Sequence, residues 1–287
     1  MFGRPASARR HFERALTLFD PTENRGLALD YAYDQRVVAR DLLSCVLFVQ
    51  GYPDQAEAQI RQSLGEAEAL QHRASLAHAL AFSCVLDELR DDPTGVLGHA
   101  ERVRRLAEEQ FIPFWSGWAA VLEGWAVGRM GAPDAGAETI HRALDALLAS
   151  RVRFWRPYHL ALLADVECRA GRYDQALAHV GEALRQVADT GERWYEAELH
   201  RRRGELALKL GDDASAAKAA FHTALGIARR QAAKMWELRA AASLARLWAE
   251  RGDRRKAHDL LAPVRAWFTE GFGTSDLIAA TELLEAL

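Results

Sequence analysis

Cysteine is scarce in this chain: three in 287 residues, Cys45, Cys84 and Cys168, far apart from one another. They supply neither a disulfide framework nor a zinc-ligand spacing, which points to a reducing compartment. Long apolar runs are missing too. The stretch Val46-Leu47-Phe48-Val49 is too short to cross a bilayer, and Met1-Phe2-Gly3-Arg4-Pro5 lacks the apolar core of a signal peptide. Neither sign of charge dominates: 37 Lys and Arg face 40 Asp and Glu, for a net charge of −3. A nucleic-acid-binding domain usually carries a basic excess, so no direct nucleic-acid partner is expected. Sustained alternation of apolar and polar residues between turn signals is absent, so no sheet is expected. With 49% hydrophobic and 27% charged residues, wholesale disorder is excluded. The expectation is a cytoplasmic protein that does not engage a membrane.

Catalytic patterns are lacking as well. There is no G-x-x-x-x-G-K-[ST] loop, no H-E-x-x-H, no Cys-x-x-Cys and no G-x-S-x-G. Gly-Phe-Gly-Thr at 271–274 is too short for a dinucleotide fingerprint. His72, His78 and His99 are near one another in sequence, but at no metal-ligand spacing. No catalytic residue, cofactor or metal is therefore assigned, and the chain is read as not an enzyme. The basic runs Arg102, Arg104, Arg105; Arg201, Arg202, Arg203; and Arg254, Arg255, Lys256 stand beside acids, as on a solvated helix face.

What the sequence does have is a repeat. Gly51, Gly131, Gly171, Gly211 and Gly252 fall 40 or 41 residues apart, apart from one vacant place, taken by Asp91. Each Gly ends a helix-like segment, because it accepts the left-handed conformation of a C-terminal cap. Asp54, Asp134 and Asp174 follow three residues later and are expected to N-cap the next helix, with Asp213 and Asp253 serving in the last two units. Pro53 and Pro133 suit the same turn. The following helix carries small and large apolar residues on one face: Ala176, Leu177, Val180, Ala183, Leu184 and Val187; Ala217, Phe221, Ala224 and Leu225; Ala56, Ile60, Ser63 and Leu64. Helix, Gly, short turn, helix describes a hairpin, and about six are expected between residues 21 and 270.

These positions resemble the tetratricopeptide repeat. Gly204, Gly211, Ala217, Phe221 and Ala224 fit its signature with one inserted residue; Ala164, Gly171, Ala176, Val180 and Ala183 fit without one. Cys84, Asp91, Val96, Ala100 and Val103 form the weakest unit. The ~40-residue period exceeds the family's usual 34 residues, implying longer helices or links. The resemblance implies an all-α, TPR-like right-handed α-solenoid over residues 1–287. Gly3, Ala8, Phe12 and Ala15 match only the second half of a unit, so residues 1–20 are read as a half repeat. The helix from about Pro5 to Phe19 would then expose Ala8, Phe12, Ala15, Leu16 and Phe19, and the chain is expected to be the C-terminal part of a longer protein. A last helix over 274–287, capped by Thr274 or Ser275, is expected to close the stack.

A narrower resemblance rests on Trp236-Glu237-Leu238-Arg239-Ala240-Ala241, on Leu260-Leu261-Ala262-Pro263-Val264, on Trp267-Phe268-Thr269-Glu270-Gly271-Phe272 and on Gly51-Tyr52-Pro53-Asp54-Gln55-Ala56. These are similar to the C-terminal repeats of bacterial AAA or STAND-type ATPase regulators, whose N-terminal parts carry adenylate/guanylate cyclase-like or winged-helix domains. The resemblance implies a non-catalytic sensor arm for signal transduction, with an ATPase or cyclase module in the same polypeptide. A free-standing adaptor or scaffold is the alternative. The resemblance to tetratricopeptide repeats implies a concave groove of first helices that takes a protein, peptide or effector. The family's inward positions fall on Trp118, Trp125, Tyr158, Asp165, Arg169, Glu198, Arg201, Glu205, Arg239 and Arg246. Aromatics recur at the repeat spacing at Phe114, Phe154 and Trp194, at Trp115, Trp155 and Tyr195, and then at Met235 and Trp236. They serve either as wedges between hairpins or as a binding ladder.

Overall fold

The repeating glycines turn the chain back on itself. Gly51, Gly131, Gly171, Gly211 and Gly252 have φ of 91°, 103°, 77°, 77° and 87°. This is the left-handed region in which a residue past a helix end can donate to the orphan carbonyls. Asp91, in the vacant place, makes the same turn with φ 63°. A second set of left-handed residues, unanticipated from the sequence, stands where one hairpin meets the next: Gln71, Arg151, Gly191 and Ala232.

The computed structural model describes residues 3–20, 32–110, 113–151, 153–211 and 214–287, and every regular element among them is a helix. Among the described residues α1 (Pro5–Leu18) precedes six hairpins: α2 (Gln35–Val49) with α3 (Pro53–Leu70), α4 (Arg73–Leu89) with α5 (Pro93–Gln110), α6 (Pro113–Arg129) with α7 (Pro133–Ala149), α8 (Arg156–Arg169) with α9 (Tyr173–Thr190), α10 (Glu196–Leu210) with α11 (Ala214–Gln231), and α12 (Lys234–Glu250) with α13 (Arg254–Ala266). The final helix is α14 (Ser275–Ala286). Among the described residues, six hairpins with α1 before them and α14 after them follow the expected plan.

The expected caps need correcting. Asp54, Asp134 and Asp174 lie inside the first turns of α3, α7 and α9. There they favour the positive end of the helix dipole without serving as caps. The cap positions of α7 and α9 are Ala132 and Arg172, and neither makes a side-chain cap bond. The short turn leaves each of Asp134 and Asp174 two residues past the cap position. Asp253 is the cap residue of α13 but makes no side-chain cap bond; Asp213 lies outside the described residues. Thr274 caps α14 by position, yet its hydroxyl donates to the Gly271 carbonyl at 2.8 Å. Asp34, unanticipated from the sequence, caps α2, its Oδ1 accepting from the backbone N–H of Arg36 and Val37.

The chain divides into two compact units. One comprises Ser7–Phe48 and Asp54–Phe154. Within it α4 packs on α5, α5 on α6, α6 on α7, and α4 also touches α6. Val37, Ala67 and Ala79 form a buried cluster there, with Leu64 and Leu76 against it. The other comprises Met1–Ala6, Val49–Pro53 and Trp155–Leu287. Within it α8 packs on α9, α10 on α11, α12 on α13 and α13 on α14. The first helices also meet, α10 touching α12 and α12 touching α14. Ala164, Ala176, Val180 and Leu206 form its small-and-large core, with Cys168, Tyr173, Leu177 and Leu184 around it.

Small residues decide how closely helices approach. At Gly204 a Cβ would lie 2.5 Å from the Phe221 ring, so the phenyl of α11 occupies the space that the glycine of α10 leaves open. The α1 helix has no buried residue: Phe12, Leu16 and Phe19 are half-buried, and Ala15 and Leu18 are exposed.

Candidate partner-binding site

Burial divides the ten expected groove residues. Trp118 and Trp125 are buried in α6. Trp118 sits among Phe82, Phe114, Trp115 and Phe154, and Arg129 lies over the Trp125 ring at 5.7 Å. Tyr158 is fully buried between Trp155, Trp194 and Tyr195. These three rings fill the interior and present no face to a partner. The aromatic series behaves the same way. Trp155, Tyr195 and Trp236 are buried, ring against ring, and Trp236 Nε1 donates to the Trp194 carbonyl at 2.9 Å. They wedge successive hairpins together; Phe154 alone of the series is half exposed, at 51%.

Of the charged members, all but Arg246 come together. The centre is Glu198 of α10, a buried carboxylate. Arg201, one turn on, donates from Nε to both its oxygens at 2.9 Å. Arg202 and Arg239 each lie 3.8 Å from it. Arg201 also reaches Glu205, and Ser243 of α12 at 3.4 Å. Arg202 pairs with Asp165 of α8 at 2.8 Å. Arg239 of α12 takes Asp276 of α14 in a two-toothed grip at 2.8 and 2.9 Å, with its guanidinium 4.9 Å over Trp236. Glu205 keeps 42% of its side chain exposed, and Arg169 keeps 38% beside Asp165. Arg246 is exposed two turns along α12 from Arg239.

The network follows from helix geometry. Positions three and four apart on one helix share a face, so Glu198, Arg201, Arg202 and Glu205 project together from α10. Neighbouring first helices then bring Asp165, Arg239, Ser243 and Asp276 to the same place. Burial works to raise the Glu198 carboxyl, but Arg201 first, and then Arg239 and Arg202, outweigh it and pull it down to about 2. Burial likewise works against the charges of Arg201, Arg202 and Arg239. The carboxylates around them prevail and hold all three above the usual guanidinium value. Glu198, Arg201, Arg202 and Arg239 therefore keep their charges in a partly dry setting where charge is felt strongly.

Three members of the network were missed in the sequence. Arg202 was legible only as part of a basic run, Ser243 as a small helix residue, and Asp276 as a first-turn acid of the closing helix. None falls at an inward position of the repeat signature. No helix among the described residues is long and apolar enough to cross a membrane.

No family profile matches the chain. Over 246 residues, 85% of its length, it is 24% identical to an uncharacterized protein of Rhizobium meliloti (strain 1021), of which it covers 24%. The chain thus spans about a quarter of that relative. Among solved structures it is similar to the apo form of RapI, with a TM-score of 0.58, 12% identity, and coverage of 98% of this chain and 92% of that one. It is also similar to a Signal Transduction ATPase with Numerous Domains (STAND) with a tetratricopeptide repeat sensor, from Pyrococcus horikoshii. That match has a TM-score of 0.50, 13% identity, and coverage of 96% of this chain and 40% of that one. At such identities the likeness is one of fold, and the fold is an all-α solenoid of tetratricopeptide-like hairpins.

Proposed function

We propose that the chain is a non-catalytic interaction arm that binds a protein or peptide segment on the first-helix face of α8, α10 and α12. In this reading it serves as the sensor of a longer signalling ATPase or cyclase-type regulator. The observation that carries the reading is the convergence of Asp165, Glu198, Arg201, Arg202, Glu205, Arg239 and Asp276 from four helices onto one face. The half-exposed rim of that face (Arg169, Glu205 and Arg246) carries both signs. A rim of mixed sign suits a segment that itself carries both, since complementarity sets register more than it adds affinity. Two comparisons support the longer protein: a relative much longer than this chain, and a structural neighbour described as having a repeat sensor on a signalling ATPase.

The test is site-specific photocrosslinking in the native host. A photoreactive residue replaces Arg169, Glu205 or Arg246 in turn. Arg61 and Arg255, whose side chains are 73% and 96% exposed on second helices, serve as controls. One shared adduct at the three first-helix positions, absent at the controls, is the expected result. Adducts distributed equally, or formed only at the controls, would remove this face from consideration.

A further inference from the structure

One of the repeating turns differs from the others in what surrounds it. At Gly131, Gly171, Gly211 and Gly252 an added Cβ would meet nothing within 4 Å among the described residues. At Gly51 it would lie 2.7 Å from Cζ3 of Trp267, 2.9 Å from Cε1 of Phe268 and 2.9 Å from Cβ of Lys234. All five glycines are left-handed, so the crowding at Gly51 owes nothing to turn geometry. The α2–α3 turn is inserted into the last hairpin and the link that follows it. Gly51 and Pro53 are buried there. The Tyr52 ring meets the Trp267 indole at 5.6 Å with planes 62° apart, and the Lys234 ammonium lies over the same indole at 5.3 Å. A Cβ on Gly271 would run into the Pro53 ring. Turn and seat belong to one compact unit.

The seat leads directly to the face proposed to bind a partner. The Gly271 carbonyl accepts from the backbone N–H of Thr274 at 2.9 Å and from its hydroxyl at 2.8 Å. Thr274 opens α14, and Asp276 in the first turn of that helix grips Arg239 of α12. Lys234, another wall of the seat, is the first residue of α12 and pairs with Glu237 at 2.7 Å. Gly271 thus has the Pro53 ring on one side and the start of α14 on the other. Chains of packed groups and hydrogen bonds like this one carry coupling between sites.

We propose that the Gly51–Tyr52–Pro53 turn is a tongue that regulates this face. Seated, it holds Gly271 and Thr274 in place and fixes the Asp276 grip on Arg239. Withdrawn, it uncovers Trp267 and Phe268, loosens α14 from α12 and frees the Arg239 guanidinium for a partner. That last effect rests on the partner-binding role of the face; the tongue and its hold on α14 do not.

The test is amide exchange of the full chain, with exchange of the Arg239 Nε–H followed by NMR as a report on its grip. Neither readout needs a partner, so the tongue and the partner-binding role stand or fall separately. Gly51→Ala combines a strained φ with the collision, and Gly171→Ala carries the strain alone. Gly51→Ala should quicken exchange of the 267–274 link, of α14 and of the Arg239 Nε–H by about tenfold, the scale of a modest overpacking. Gly171→Ala should leave all three within about twofold of the native chain. Tyr52→Ala keeps the turn and removes its ring, and should give the same pattern at about threefold. If Gly51→Ala does not fold, Tyr52→Ala decides. Exchange of α14 that is unmoved in these variants, or quickened equally in Gly171→Ala, overturns the tongue; a quickened α14 with an unmoved Arg239 overturns its hold on the face. Where the native chain gives the shared photocrosslinked adduct, its yield at Arg246 should rise about threefold in Gly51→Ala, and an unchanged yield overturns the regulation.

Discussion

At the scale of single residues, Glu198 shows how this chain keeps charge inside. A carboxylate without partners would be neutralised by burial; three guanidinium groups keep it ionised instead. Glu198→Gln leaves those cations short of an anion, and removing one partner of a buried pair typically costs about 3–5 kcal/mol. A denaturant titration of the variant at neutral pH should show a loss of that order. In the native chain the Glu198 contribution is present above the ordinary carboxylate value of 4.5 and fades as pH falls toward 2. His159 acts earlier on the acid side. Burial, helped by Arg156, lowers it from 6.5 to about 3, so the folded chain holds it neutral while the unfolded chain takes up a proton. Its contribution is complete above pH 6.5 and is lost below that, by about 2 kcal/mol at roughly pH 5. Urea midpoints should fall over this interval, and His159→Phe should flatten the fall.

At the scale of helices, the turn residues carry separable costs. Ala232 holds φ 53° between α11 and α12, a conformation that favours glycine. Ala232→Gly should therefore stabilise the chain by about 1 kcal/mol, read as a rise in thermal midpoint. Gly204 gives the opposite case. Its backbone needs no glycine, but the Phe221 ring fills the space a methyl would enter. Gly204→Ala should cost about 1–3 kcal/mol, and Phe221→Leu in the same chain should recover part of the loss. A full, unrescued loss would show that the helix spacing, not the ring, sets the limit.

At the scale of the molecule, each hairpin leans chiefly on its neighbours, so damage should stay local. Glu198→Gln should speed amide exchange in α8, α10 and α12 while leaving α4, α5 and α6 at their native rates. His78→Gln, which removes the imidazole beside the buried Asp41, should do the reverse. Exchange rising evenly over both units in either variant would mean that the repeats unfold as one body.

The hairpin plan was legible because it rests on local chemistry. Gly at a fixed period dictates a left-handed turn, and apolar spacing of three and four dictates a buried helix face; both act within a few residues. The charged part of the site was partly legible, since Asp165, Glu198, Arg201, Glu205 and Arg239 share the inward register of first helices. Registers say which side of a helix a residue occupies, but not how much of it neighbouring helices cover. Trp118, Trp125 and Tyr158 have the inward register and are nonetheless buried, because large rings at helix junctions gain more from contact with one another than from water. The partners of Arg202 and Arg239, and the meeting of Asp41 with His78 across 37 residues, were decided only by tertiary packing. Charge pairing at such separations depends on helix placement in space, which no single repeat encodes.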